Sequence, residues 1–171
     1  MRVTYDIISN KDLVSMINCT FEDGGKASLR HVVVHALVEK NGAILLEKRA
    51  PHLSGAGKWG LPGGFLDRDE TAKEAVLREL LEETGYQGEI ITLFRINSNP
   101  QRQEEDRRQN VALEYLIKPM EQVKRPDKES TEIKWVPIEK INSLDFAFDH
   151  GQTVKLYLDY RQKKFTLPLI V

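Results

Sequence analysis

Two apolar stretches of the chain predict a pair of central β-strands. The segments "RHVVVHALVEK" (residues 30–40) and "AILLEKR" (residues 43–49) are nearly continuous in apolar residues. This pattern is typical of strands that are covered on both faces of a sheet. Asn41 and Gly42 lie between the two segments and form a strong signal for a tight turn. We therefore predict a β-hairpin in the middle of a sheet.

The clearest helix signal is the segment "TAKEAVLRELLEET" (residues 71–84), which consists mostly of good helix formers. Thr71 followed three positions later by Glu74 fits a capping box at its start. Gly85 directly after the segment is a typical helix stop, because glycine readily adopts the left-handed backbone conformation. The sequence therefore predicts a helix with both ends defined.

The remaining pattern mixes strands with a second helix. Further strands are predicted at residues 89–97, 110–119 and 131–137. The segment "GQTVKLYLDYRQ" predicts the second helix, with Asp149 and Gln152 as its capping box. Because hairpin turns are present, we expect a mixed sheet rather than a purely parallel one, and helices on both faces would cover its apolar strands. The expected fold class is α/β.

Composition favours a single domain with a short extension. A chain of 171 residues suits one domain. Residues 1–28 are less clearly patterned, and we assign them to an N-terminal extension, either a hairpin or a helix, that is a candidate contact of a homodimer. Residues 29–171 form the main domain. The net charge of −1 does not favour a partner such as nucleic acid or a membrane surface.

Location is predicted from what the sequence lacks. The start of the chain has no continuous apolar segment of the kind found in signal peptides. No run of about 18 apolar residues predicts a membrane-spanning helix. Cys19 is the one cysteine, so no intramolecular disulfide can form, which favours a reducing compartment. We expect a cytoplasmic protein.

Three acidic residues of the first predicted helix form a candidate metal site. At about 100° per residue, Glu79, Glu82 and Glu83 lie within an arc of about 100°, beside the edge of the apolar stripe. Clustered carboxylates repel one another, and divalent cations such as Mg²⁺ or Mn²⁺ relieve that repulsion. A solvated acidic helix face is the alternative. The preceding segment "LPGG" favours the metal site, because its two glycines permit close backbone approach and offer a carbonyl ligand.

The acidic helix and its loop together carry a family signature. Gly64, Glu70, the run Arg78-Glu79-Leu80, the pair Glu82-Glu83 and Gly85 have the spacing G-x5-E-x7-R-E-U-x-E-E-x-G-U. This pattern resembles the Nudix box, in which U is a bulky aliphatic residue. Tyr86 at the last U position is the one departure.

The resemblance implies a Nudix-type α/β/α sandwich around a mixed β-sheet. It implies divalent-metal-dependent hydrolysis of a nucleoside diphosphate linked to another group, with a small-molecule nucleotide as the partner. It also implies the roles of individual residues. The metal ligands, for Mg²⁺ or Mn²⁺, are Glu79, Glu82, Glu83 and the Gly63 carbonyl. Arg78 and Glu70 would fix the helix and orient the acids.

The motif specifies the general base and the substrate contacts less closely than it specifies the metal ligands. Glu79 and Glu82 are catalytic candidates in the motif, and Glu129 in a distal loop is a candidate base, ahead of Glu132. Pro100, 14 positions after Tyr86, is similar to a mark of ADP-ribose pyrophosphatases, although it could simply shape a polar loop. The further candidates for substrate contact are Arg49, Trp59 and Arg95. Arg102, Arg107 and Arg108 of the loop could reach a ribose or phosphate, but we expect most of them to be solvated.

Three functions remain open at this point. The first is hydrolysis of ADP-ribose or a related nucleotide sugar to AMP and a sugar phosphate. The second is a housecleaning hydrolase for oxidised nucleoside triphosphates, with the same chemistry and a different pocket. The third is a nucleotide-sensing regulator without hydrolysis. It is disfavoured, because such proteins usually have a degraded motif and an added DNA-binding domain, whereas this motif is intact.

Overall fold

A computed structural model describes residues 17–102 and 109–171 of the chain. Its helices are α1, Ala72–Thr84, and α2, His150–Gln162, and a 3-10 helix spans Ile138–Ser143. Its strands are β1 Ile17–Thr20, β2 Lys26–Leu29, β3 Val32–Lys40, β4 Ala43–Arg49, β5 Trp59–Gly60, β6 Gly63–Phe65, β7 Tyr86–Asn97, β8 Val111–Gln122, β9 Ser130–Pro137 and β10 Leu169–Ile170.

Eight strands form one mixed sheet in the order β10-β7-β8-β3-β4-β5, with β6 paired to β3 and β9 paired to β4. The pairs β3–β8 and β10–β7 are parallel, and the other pairs are antiparallel. The predicted mixed sheet is therefore confirmed.

The predicted hairpin of β3 and β4 is present but short. Asn41 and Gly42 have φ values of 53° and 75°, as a two-residue hairpin turn of type I′ requires. The two strands pair only at their turn end, through Glu39 with Ile44 and Lys40 with Ala43. Beyond that point β3 pairs with β8 and β6, whereas β4 pairs with β9 and β5. The strands diverge, and the acidic site lies where they do.

Helix α1 begins and ends where the sequence predicts. The Glu74 backbone N–H donates to Thr71 Oγ1 at 3.3 Å, and the Thr71 N–H donates to Glu74 Oε2 at 2.8 Å, which completes the capping box. Gly85 has a φ of 75° and donates its N–H to the Leu81 carbonyl. A Cβ at position 85 would lie 1.9 Å from the Lys124 carbonyl oxygen, so only glycine fits there.

The two helices cover opposite faces of the sheet. The buried core on the α1 side consists of Val34, Ala36, Val38, Leu45, Ala75, Val76, Leu80, Tyr115 and Ile117. The buried core on the α2 side consists of Leu37, Ile44, Leu46, Leu61, Phe94, Leu116, Val136, Ile141 and Val154. The α/β/α layering expected from the apolar strands is therefore confirmed.

The predicted capping box at the start of α2 is wrong. Asp149 precedes the helix, but its side chain makes no capping hydrogen bond. Its carboxylate instead accepts from Asn97 Nδ2 at 2.8 Å and from Arg102 Nη2 at 2.7 Å. Arg102 is 7% exposed, so it is not one of the solvated arginines expected in this loop. A buried guanidinium needs a counter-ion, and that need takes precedence over helix capping at Asp149.

The first two strands of the described structure form a separate small sheet. Among the residues that the structure describes, strands β1 and β2 pair with each other and with no other strand, as an antiparallel hairpin over residues 17–29. Residues 1–16, which belong to the expected N-terminal extension, and residues 103–108 of the polar loop lie outside the described residues. Within the described part of the chain, neither helix has the length and apolar character needed to cross a membrane.

Candidate active site

The glycine loop and the acidic helix meet because β6 pairs with β3. Gly63 lies opposite His35, and Gly64 lies opposite Val34. The Gly63 N–H donates to Glu83 Oε2 at 2.6 Å. A Cβ added at Gly64 would lie 2.6 Å from Glu79 Oε1, so the missing side chain is what admits the Glu79 carboxylate. The sequence predicted this proximity, and the structure brings the two segments together.

Arg78 connects three acidic residues of the motif in one hydrogen-bond network. Its guanidinium donates two hydrogen bonds to Glu70, at 2.6 and 3.0 Å. It also donates to Glu79 at 2.8 Å, to Glu82 at 3.1 Å and to the Phe65 carbonyl at 3.1 Å. The hydrogen bond from Arg78 lowers the pKa of Glu70. These contacts agree with the positioning role that the resemblance implies for Arg78 and Glu70.

Ionisation of Glu79 and Glu83 is unfavourable in free energy when no cation is bound. Burial raises the pKa of Glu79, although the Arg78 hydrogen bond opposes that shift. Burial and the nearby Glu47 raise the pKa of Glu83 well above its usual range, against the hydrogen bond from the Gly63 N–H. Glu83 is 2% exposed. A divalent cation would favour the ionised forms of both residues.

Glu47 is a site residue that sequence reasoning missed. It lies on β4, is 1% exposed, and accepts a hydrogen bond from the Ser130 hydroxyl. Its Oε1 lies 3.5 Å from Nη1 of Arg49. Burial raises the pKa of Glu47 to about 7. The available signal was a carboxylate directly after the apolar run of a strand that is otherwise buried.

A cavity of about 460 Å³ lies beside these residues. The residues that line it are Arg49, His52, Leu53, Ser54, Gly63, Gly64, Phe65, Arg78, Glu79, Glu82, Asp127 and Glu129. Six predicted site residues, those at positions 49, 63, 78, 79, 82 and 129, therefore share one cavity, whereas Glu70 and Glu83 are not among the described residues that line it. Its volume lies within the range of about 300–1,000 Å³ that is usual for small-molecule sites.

The distal loop that carries Glu129 is held to both the helix and β4. The Asp127 N–H donates to the Glu82 carbonyl at 2.9 Å, and the Glu129 carbonyl accepts from the Ala50 N–H at 2.9 Å. The Glu129 N–H donates to Asp127 Oδ1 at 2.8 Å. These bonds place the Glu129 side chain at the cavity without burying it.

The donor chemistry of the cavity fits a divalent cation, but the side chains are not gathered as a cage. Within residues 17–102 and 109–171, no three histidine, cysteine or acidic side chains lie close enough together to hold an ion. Arg78 Nη1 lies between Glu79 and Glu82 and donates to both. The hard carboxylate oxygens and the glycine loop are nevertheless the ligand types that Mg²⁺ and Mn²⁺ accept.

Three predicted substrate contacts lie elsewhere in the described structure. Trp59 lies in β5, where it pairs with Lys48 of β4, and it packs against the core on the α2 side. Pro100 is exposed and lies within the turn that is closed by the Arg102 N–H and the Asn99 carbonyl, at 3.2 Å. Neither residue, nor Arg95, is among the described residues that line the cavity.

Arg95 belongs to a buried polar network on the α2 side of the sheet. It is 5% exposed and donates to Thr153 Oγ1 at 3.0 Å. Its guanidinium lies 3.5 Å from Glu114 and 3.8 Å from Asp149. Burial raises the pKa of Glu114 to about 7. The sequence could not show that a strand arginine would have these long-range partners.

The same side of the sheet holds two buried histidines. His35 and His150 have ring centroids 4.4 Å apart, and burial lowers the pKa of both, so they are neutral at pH 7. His150 Nδ1 accepts the Leu61 N–H at 2.9 Å. This bond links α2 to the segment that leads into Gly63, so the second helix also supports the glycine loop.

Alanine substitutions in the glycine loop should affect catalysis at Gly64 and stability at Gly63. A Cβ at Gly64 meets the flexible end of Glu79, so Gly64→Ala should displace that carboxylate and lower kcat about 10–100-fold with little change in Tm. A Cβ at Gly63 would lie 2.0 Å from the Val34 carbonyl oxygen, so Gly63→Ala should lower Tm. Steady-state kinetics and thermal unfolding test both. Full turnover by a folded Gly64→Ala variant would contradict the placement of Glu79.

The fold and the site define an α/β protein in which a glycine loop and an acidic helix border one cavity. Comparison with known families gives a match to the NUDIX domain over residues 28–157. The chain belongs to the Nudix hydrolase family, and it is therefore a pyrophosphohydrolase by class.

Individual relatives agree with this assignment. The chain is 30% identical over 130 residues to an ADP-ribose pyrophosphatase of Methanocaldococcus jannaschii, covering 76% of this chain and 74% of the relative. It is 31% identical over 124 residues to the nucleoside triphosphatase NudI of an Enterobacter species, covering 68% of this chain and 88% of the relative.

Solved structures show the same fold. A NUDIX hydrolase from Nitrosomonas europaea superposes with a TM-score of 0.72 and 26% identity, over 98% of this chain and 92% of that one. The NUDIX domain of Shewanella oneidensis NrtR, solved in complex with ADP ribose, superposes with a TM-score of 0.68 and 27% identity, over 79% of this chain and 90% of that one.

Proposed function

We propose that this protein hydrolyses the pyrophosphate bond of ADP-ribose or a related nucleotide sugar, with Mg²⁺ or Mn²⁺, and releases AMP and a sugar phosphate. The observation that carries the proposal is the single cavity in which the acids of α1 face Arg49 and Glu129. Such a cavity offers, in one place, oxygens that can bind a metal ion, a guanidinium that can bind phosphate and a carboxylate that can accept a proton.

Each group of the cavity has a proposed task. Glu79, Glu82, Glu83 and the Gly63 carbonyl would hold the divalent ion, which would screen the charge of the pyrophosphate and acidify water. Arg78 fixes the helix and the orientation of Glu79 and Glu82 through the hydrogen bonds described above.

The opposite wall of the cavity supplies the substrate contacts. Arg49 is held by the Ser54 carbonyl, which accepts from its Nε at 2.7 Å, and by the Phe148 ring, whose centroid is 5.2 Å from its guanidinium carbon. A guanidinium held in this way is pre-organised to bind a phosphate oxygen. Glu129 is our candidate to accept the proton of the attacking water, with Glu79 as the alternative base.

Two comparisons support ADP-ribose as the substrate class. One curated relative is named an ADP-ribose pyrophosphatase, and one superposed domain was solved with ADP ribose. Trp59, Arg95 and Pro100 act indirectly in this proposal. Pro100 shapes the turn that leads to Arg102. Arg95 supports β7, the strand that precedes this turn.

A second candidate is hydrolysis of nucleoside triphosphates. The similarity to the nucleoside triphosphatase NudI favours it, because that relative is matched over most of its length. The same acids and the same arginine would serve this reaction, since both substrates contain a phosphoanhydride. A regulator without hydrolysis is disfavoured by the intact motif from Gly64 to Gly85.

A substrate panel tests the proposal. The purified protein with Mg²⁺ should release AMP from ADP-ribose, and it should cleave ADP-ribose faster than ordinary or oxidised nucleoside triphosphates. Products are separated by ion-exchange chromatography, and the same panel is repeated with Mn²⁺ and with a chelator. Faster cleavage of an oxidised dGTP would favour the second candidate. No cleavage of any nucleotide by folded protein would reject both.

A further inference from the structure

Glu47 occupies a position on β4 that points toward the α1 side of the sheet. Leu45, two residues earlier and therefore on the same face, packs in the core that includes Val76 and Leu80 of α1. Glu47 itself pairs with Gly60 of β5 on one side and with Ile133 of β9 on the other. A carboxylate here is buried between neighbouring strands and cannot reach solvent.

The Glu47 carboxylate connects two walls of the cavity. It accepts from the hydroxyl of Ser130, which directly follows Glu129 in the chain. On its other side it faces Arg49, which lines the cavity. The distance of 3.5 Å to Arg49 exceeds the roughly 2.7–2.9 Å of a strong charge-assisted hydrogen bond. The arginine therefore compensates the buried charge only in part.

The cavity whose wall Glu47 supports is rich in acidic residues. The acids of the cavity and of the motif beside it are Glu47, Glu70, Glu79, Glu82, Glu83, Asp127 and Glu129. Arg78 is shared among Glu70, Glu79 and Glu82. Glu83 takes its hydrogen bond from a backbone N–H rather than from a cation. Two buried carboxylates, Glu47 and Glu83, thus interact unfavourably unless further positive charge is brought in.

We propose that Glu47 is a positioning residue of the divalent-cation centre, which adds buried negative charge at the wall of the cavity and so strengthens binding of Mg²⁺ or Mn²⁺. The inference rests on the proposed function, because it assumes that the acids of α1 hold the ion. It goes beyond the motif, since Glu47 lies on a strand outside the segment from Gly64 to Gly85. A purely structural role, in which Glu47 only fixes Ser130, is the competing account.

Calorimetric titration of Mn²⁺ into the nucleotide-free, full-length protein tests the inference without requiring turnover. Glu47→Gln should weaken Mn²⁺ binding about 10–100-fold, which is the usual cost of losing a supporting residue of a metal site. Glu47→Asp keeps the charge and should retain most of the affinity that Glu47→Gln loses. Circular dichroism and thermal unfolding establish that each variant is folded.

Two further variants make the result specific. Glu114→Gln neutralises another fully buried carboxylate, but on the α2 side of the sheet beside Arg95, and it should leave Mn²⁺ affinity unchanged. Glu82→Gln removes a proposed ligand and should weaken binding as well. If Glu82→Gln weakens binding and Glu47→Gln does not, the inference about Glu47 is overturned while the metal site stands.

Other outcomes are equally decisive. Wild-type protein that binds no Mn²⁺, or unchanged binding by Glu82→Gln, would reject the metal assignment on which the inference rests. Equal losses in Glu47→Gln and Glu114→Gln would overturn the specific role of Glu47. Equal losses in Glu47→Gln and Glu47→Asp would point to packing rather than charge. If Glu47→Gln does not fold, Glu47→Asp decides between charge and packing by whether its affinity equals that of the wild type.

Discussion

Glu82→Gln is expected to reduce turnover at least about 100-fold, because it removes a carboxylate that we assign to the metal site on which the reaction depends. Glu82 lines the cavity, its side chain is 43% exposed, and it forms an ion pair with Arg78. Loss of that partly exposed pair should change stability little. Steady-state kinetics with the best substrate of the panel and thermal unfolding measure the two effects separately.

The matched control is Glu89→Gln, the same substitution at an exposed residue of β7. Glu89 pairs with Lys118 at 3.5 Å, and both side chains are about two-thirds exposed, so turnover should be unchanged. A folded Glu82→Gln variant with wild-type turnover would refute the assignment of Glu82. Restoration of its activity by higher Mn²⁺ would support the assignment, because it would place the defect in metal binding.

The parts of the site that could be predicted from the sequence are those with short-range causes. The capping box at Thr71, the stop at Gly85 and the carboxylate arc of α1 follow from spacing along one helix. The approach of the glycine loop to that helix follows from only a few intervening residues. Local spacing therefore defined the motif, and the structure adds the pairing of β6 with β3 that holds it in place.

The parts that could not be predicted depend on partners that are distant in the chain. Glu47 meets Ser130 across 83 positions, and Arg102 meets Asp149 across 47. Asp149 shows the difficulty well, since its spacing to Gln152 fits a capping box although its carboxylate pairs with a buried arginine. A local pattern cannot reveal that a distant charge will compete for the same side chain.

Asp149→Ala is expected to lower the free energy of unfolding by about 3–5 kcal/mol, the usual cost of removing one member of a buried ion pair. The Asp149 carboxylate is 1% exposed and accepts from Arg102 at 2.7 and 3.3 Å and from Asn97 at 2.8 Å. Its removal would also take a negative charge from beside Arg95, whose guanidinium is 3.8 Å away. Urea unfolding followed by circular dichroism gives the free energy of unfolding directly.

Two companion variants test whether the cause is the loss of the buried ion pair rather than a defect in α2. Asp159→Ala makes the same change at an exposed position of that helix and should alter stability by less than about 0.5 kcal/mol. The double variant Asp149→Ala with Arg102→Met removes both charges, so it should recover part of the loss, because an apolar replacement of a buried pair is often tolerated. A double variant less stable than Asp149→Ala alone would show that Arg102 stabilises this side of the sheet through its other contacts, such as that with Asn110, rather than through the pair.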